Sequence, residues 1–195
     1  MDKNCAYFFC DVNVKPKLLS SNFQNKFDSD IDLTISIFTG DEKHSIPEMI
    51  IQNSKEMSIA YQYVYIIENV LRSHIENKGI LLFGDEYLKK ISVPRKITDK
   101  IEQRMENDEK NVWMSFDRDS HLNHLDLMDL YNLVENNWDL FRNDFPTKEW
   151  IKSKIAEINE CRKLIAHNNN CIGPHSKEVL ITNSKSILKQ LGYLG

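Results

Sequence analysis

Residues 147–170 read TKEWIKSKIAEINECRKLIAHNNN, and their pattern is helical. Thr147 suits an N-cap, because its hydroxyl can accept from a free N–H of the first turn. Trp150 follows three residues on, and Ile151, Ile155, Ile158 and Ile165 then place an apolar stripe on one face. Such a stripe requires other helices to cover it. The asparagines at 168–170 end the run. Arg162 lies within about 20° of the first member of the stripe by the 3.6-residue period. A guanidinium there needs a carboxylate, a backbone carbonyl, another subunit or a phosphate, since burying an unpaired charge is costly. His167 comes five residues later, at the fraying end of the helix among small and polar neighbours. Histidine is a residue type suited to general acid or base work.

The same period recurs on the N-terminal side. Met57, Ala60, Tyr61, Val64, Ile67, Leu71 and Ile75 repeat at helical steps after Pro47, which predicts a long helix stopping at Gly79. A shorter one is predicted from Val93 or Pro94 through Asn107, with Pro94 in its first turn and Ile97 and Ile101 on one face. Residues 108–123 read mostly as loop. Leu125, Leu127, Met128, Leu130, Tyr131, Val134, Trp138 and Phe141 mark a third helix, closed by Pro146. Beyond the asparagines, Val179, Leu180, Ile187, Leu188 and Leu191 predict a final helix over about 176–191. Trp138, Trp150, Tyr61 and Tyr65 are read as core residues rather than as base-stacking platforms.

Upstream the period changes to two. Ile31, Leu33, Ile35 and Ile37 alternate with Asp32, Thr34 and Ser36, the mark of a strand with one wet face, and Gly40-Asp41 ends it. Residues 6–14, AYFFCDVNV, are rich in aromatic and β-branched side chains and stop before Pro16, so a second strand is expected to pair with the first. The chain thus divides into a β-rich extension over 1–50 and a helical domain over 51–195.

Composition narrows the classes. At 195 residues, 41% hydrophobic and 28% charged, the chain has the make-up of a globular protein with one core and an appendage. It shows no secretory leader and no run of about 18 apolar residues, so a cytoplasmic protein without membrane attachment is expected. Cys5, Cys10, Cys161 and Cys171 are too few and too irregularly spaced for a disulfide framework or a zinc site and are read as free thiols. His121, His124 and His175 show no mutually reinforcing ligand spacing, and neither metal nor cofactor is expected. A formal charge of −4 disfavours indiscriminate nucleic-acid binding. Lys89, Lys90, Arg95, Lys96 and Lys100 form one basic stretch, more simply a solvated helix approach than a binding groove.

Residues 160–168, Glu-Cys-Arg-Lys-Leu-Ile-Ala-His-Asn, resemble the Arg-x(4–6)-His signature of the HEPN superfamily. A second match, Arg118 to His124, falls in the loop-like segment and is set aside as accidental. Glu68 through Leu71-Arg72, Val93-Pro94, Asn137-Trp138 with Phe141, Trp150, and Arg162 with Ala166-His167-Asn168 occur in the order found in the branch containing Swt-type RNA endonucleases. The resemblance spans roughly residues 55–190. It departs at Lys163, where that family often carries asparagine or another small polar group.

The resemblance implies a mainly α, HEPN-like bundle of about five helices. It also implies metal-independent RNA cleavage by a homodimer, in which two Arg-x(4–6)-His segments meet across a symmetric interface. Arg162 and His167 would be catalytic, and Lys163, Asn168 and Glu68 would position the substrate or the arginine, Glu68 by reaching Arg162 across the bundle. An ideal helix sets Arg162 and His167 about 140° apart, so one protomer's regular helix does not by itself bring them together. The activity implied is that of a toxin-like or antiviral-defence effector, with residues 1–50 a possible contact for a regulatory protein. The alternative is a non-catalytic HEPN module in which Arg162 and His167 stabilise a dimer interface. A nucleotide-transferring enzyme is set aside for want of a Gly-rich phosphate loop or paired carboxylates.

Overall fold

A computed structural model describes residues 46–111, 113, 120–167 and 171–195. The expected strands, Cys5, Cys10, Arg118 and Asn168 lie outside the described residues. Among those described are six α-helices, which we number α1 (Glu48–Phe83), α2 (Arg95–Lys110), α3 (Leu127–Asn136), α4 (Trp138–Phe141), α5 (Lys148–Ala166) and α6 (Pro174–Gln190), with short 3-10 turns at Tyr87–Lys89 and His121–His124. None is long and apolar enough to cross a membrane.

The core follows from the apolar periods. α1 buries Ala60, Val64, Ile67, Leu71 and Ile75, α3 buries Leu127, Leu130, Leu133 and Val134, α5 buries Ile151, Ile155 and Ile158, and α6 buries Leu180 and Ile187. α5 packs against α6, α3 and α1, and α1 against α6, α5 and α3. These four helices therefore share one core, with α5 in contact with every other member. Thr147 caps α5 as its sequence predicts, its Oγ1 accepting from the Trp150 N–H at 3.0 Å.

The first helix does not stop at Gly79. It runs one further turn to Phe83 and ends at Gly84, whose φ of 75° is the left-handed conformation glycine adopts without strain. Gly79 serves packing instead, since a Cβ built on it would lie 2.2 Å from Cδ2 of the buried Tyr87 ring. The expected third helix is broken at Asn137 into α3 and α4. There the Asn137 amide donates to the carbonyls of Ser92 at 2.9 Å and Leu133 at 2.8 Å, and its Oδ1 accepts from the Ser92 N–H at 2.7 Å. The side chain substitutes for helix bonds and ties the break to the segment leading into α2.

That segment places Pro94 at the N-cap of α2. The helix extends to Lys110, three residues past its expected end. At the start of α3, Asp126 and Asp129 form a reciprocal capping box, and Lys100 of α2 bonds both carboxylates, at 2.8 Å in the case of Asp126. Burial works against ionisation of Asp126, but Lys100 and the Asp129 bonds outweigh it and hold the carboxyl at about 2. The capping box thereby fastens α2 to α3.

Candidate active site

Arg162 stands on α5 where the stripe meets α1. Its side chain is 35% exposed, and its Nε lies 3.5 Å from Oε2 of Glu68, which is only 15% exposed. The other carboxylate oxygen accepts from Nη2 of Arg72, one turn along α1. Arg72 is itself fixed from three further directions, by the Leu122 carbonyl at 3.0 Å, the Leu125 carbonyl at 2.7 Å and Asn69 Oδ1 at 3.1 Å. Glu68 is thus a carboxylate shared between an anchored guanidinium and one that faces open space. Two cations around one anion leave net positive charge on the Arg162 side, the arrangement a phosphate would meet.

The open space is a cavity of about 350 Å³ lined by Tyr61, Val64, Tyr65, Glu68, Arg162 and the neighbouring Ile165 and Ala166. Tyr61 and Tyr65 are not core residues but lie 55% and 57% exposed, side by side one turn apart, with ring centroids 6.1 Å apart and planes inclined at 43°. The buried members of α1 run Ala60, Val64, Ile67, Leu71, Ile75. Each tyrosine follows a buried position by one residue and is rotated about 100° off the stripe. That one-residue offset is legible in the sequence.

The other predicted positions are more dispersed. His167 is the C-cap of α5, its backbone N–H bonded to the Lys163 carbonyl at 3.1 Å, and its exposed side chain has no hydrogen-bond or ion-pair partner among the described residues. Ala166, not His167, closes the cavity at this end. Within one chain the structure therefore brings Glu68 to Arg162 but leaves the imidazole outside the cavity, at the same end of α5. Lys163 is exposed and bonds Glu160 at 2.6 Å rather than any cavity residue.

The remaining polar groups mostly serve packing. Burial raises the Cys161 thiol above its ordinary range, and its Sγ donates to the Ser176 carbonyl at 3.4 Å, so it binds α5 to the start of α6. Cys161 and Cys171 are free thiols. His124 is buried, with its Nδ1 3.6 Å from Asp108 and its carbonyl accepting from Arg104 at 2.6 Å. It occupies the α2 junction, away from the cavity residues. In the basic stretch, Lys89 pairs with Glu86, Arg95 lies 3.9 Å from Asp99, and Lys100 is taken up by the capping box. Asp144, in the loop before α5, receives His74 at 2.9 Å and Lys78, which pins that loop to α1. Among the described residues no group of three or more His, Cys, Asp or Glu side chains is placed to hold a metal ion.

No family model, no curated protein and no solved structure matches this chain.

Proposed function

We propose that this protein is a metal-independent endoribonuclease of HEPN type that works as a homodimer, in the manner of a toxin-like or antiviral-defence effector in the cytoplasm. The observation that carries the reading is the Glu68–Arg162 pair at the edge of an open cavity, with an exposed imidazole that has no partner among the described residues at the end of the same helix. The Arg-x(4–6)-His resemblance of residues 160–168 supports it.

In this reading Arg162 binds the non-bridging oxygens of the scissile phosphate and stabilises the charge that grows there as the phosphorus becomes five-coordinate. Glu68 sets the orientation of the guanidinium. The His167 imidazole withdraws the proton of the ribose 2′-hydroxyl, whose oxygen attacks phosphorus while the bond to the 5′ oxygen breaks. The products are a 2′,3′-cyclic phosphate and a 5′-hydroxyl, the departing 5′ oxygen taking its proton from water as the imidazolium returns one to solvent. Because His167 does not line the cavity of its own chain, a second protomer is required to bring its α5 end against the first. Lys163 and Asn168 would position the strand at that junction, and residues 1–50 would receive a regulatory partner.

One observation favours a different reading. Glu68 also holds Arg72, so its pair with Arg162 can be a strut between α1 and α5 in a non-catalytic dimerisation module. Incubation of the protein with total RNA in EDTA, beside His167→Ala and Arg162→Ala, separates the two. Cleavage by the wild type alone, leaving cyclic phosphate ends, establishes the nuclease. Intact RNA in all three, with Arg162→Ala shifting the dimer toward monomer, establishes the module.

A further inference from the structure

We infer that Tyr61 and Tyr65 form the base-binding wall of the cavity, so that the substrate is RNA with an unpaired base beside the phosphate held by Arg162. This inference rests on the nuclease reading above and adds to it the class of RNA and the residues that select it.

Soluble proteins bury most of the area of a large aromatic side chain, yet here two tyrosines stand more than half exposed one turn apart on α1. Their rings are tilted rather than stacked on each other, so the pair does not close on itself. Both rings border the same cavity as Arg162, and Val64, Ile165 and Ala166 give that cavity an apolar floor. Its volume of about 350 Å³ falls within the roughly 300–1,000 Å³ typical of small-ligand sites. Aromatic walls, an apolar floor, one carboxylate able to accept from an amino or imino group, and one guanidinium at the edge match the parts of a nucleotide: a flat ring carrying polar hydrogens, joined to an anion.

A base can lie against such a wall only after leaving its own stack. Paired A-form RNA presents a deep, narrow major groove and keeps its bases stacked, whereas loops and single strands can splay a base onto an aromatic ring. Stacking tolerates any base, because every base has a π-face. The wall therefore selects for unpaired RNA and leaves sequence choice to other contacts.

The test uses the full chain carrying His167→Ala, which keeps RNA intact during binding. The probes are fluorescein-labelled oligouridylate as a single strand, the same strand annealed to its complement, and a chain of abasic ribose phosphates of equal length. The single strand is expected to bind at least about fivefold tighter than the duplex or the abasic chain, the lower edge of what base–aromatic stacking supplies. Adding Tyr61→Leu and Tyr65→Leu together removes that advantage and leaves abasic binding unchanged, while Tyr61→Phe with Tyr65→Phe restores it. Equal loss on the abasic chain, or no loss on the single strand, overturns the inference. So does a Leu double variant that turns monomeric yet binds the single strand undiminished, since the tyrosines then belong to a subunit contact. Cleavage by the wild type with no effect of either tyrosine overturns this inference alone; absence of both cleavage and binding overturns it together with the nuclease reading.

Discussion

Glu68 Oε2 and Arg162 Nε lie 3.5 Å apart across the junction of α1 and α5, and the same carboxylate engages Arg72 behind it. The two arginines are not equivalent. Arg72 keeps its carbonyl bonds to Leu122 and Leu125 whatever happens at position 68, whereas the only ion pair of Arg162 among the described residues is with Glu68. Glu68→Gln preserves shape and removes the charge. If the protein is the nuclease proposed above, RNA cleavage is expected to fall about 10- to 100-fold, the equivalent of one charge-assisted hydrogen bond, with a melting temperature only a few degrees lower. Single-turnover cleavage measured beside a thermal melt checks this. A large melting shift with unchanged cleavage would make Glu68 a strut and no more.

Gly79 offers a sign test. In an exposed helix, glycine to alanine is stabilising by about 1 kcal/mol. Here the new Cβ would sit 2.2 Å from Cδ2 and 2.6 Å from Cγ of Tyr87, and Cγ is not the movable end of a flexible chain. Overpacking of this kind costs about 1–3 kcal/mol, so Gly79→Ala is expected to destabilise. In a Tyr87→Ala background the same substitution turns neutral or stabilising. Urea denaturation of the four proteins closes the cycle, and additive effects would show that the ring does not depend on the missing side chain.

Asn137 fills both donor positions and its acceptor at the α3–α4 break. Asn137→Ala is expected to cost about 1–2 kcal/mol. Asn137→Asp should cost more, because a carboxylate would face the Ser92 and Leu133 carbonyls that the amide now satisfies. Thermal melts at neutral pH give the order of the two, and the reverse order would rule out the amide as the donor that holds the break.

The capping box predicts an acid-sensitive joint. The folded Asp126 carboxyl is held at about 2, below its ordinary 3.8, so its contribution is fully present above the unfolded value and is lost as the pH falls from near 4 toward 2. Discounted for its solvent-facing part, that contribution is roughly 1 kcal/mol. Asp126→Asn should therefore be less stable than wild type at pH 6, with the gap narrowing below pH 4. Urea midpoints across that range measure it, and a gap that widens on acidification would contradict the assignment.

The apolar spacing on residues 57–75, 151–165 and 179–191 was enough to locate α1, α5 and α6, and that on 125–141 the stretch that holds α3 and α4, because an amphipathic stripe is a local property that any chain burying it must express. The Thr147 cap and Pro94 at the start of α2 were legible for the same reason. The end of α1 was not. A glycine can close a helix or admit a neighbour, and only the position of Tyr87, brought back by the turn after Gly84, decides between them. The break at Asn137 was hidden likewise, since the bonds that compensate it come from Ser92.

For the candidate site the division is sharper. The sequence by itself determined that Arg162 stands on a largely apolar face and must find a polar partner, a consequence of spacing and of the cost of burying a guanidinium alone. It also placed His167 at the C-terminal end of α5. Tertiary structure decided that the partner is Glu68, that two tyrosines one position off the buried stripe border the same cavity, and that the imidazole lies outside it. Those outcomes depend on how α1 and α5 approach one another. Helical periodicity orients each side chain about its own axis, but which axes meet, and at what register, is a property of the packed core as a whole.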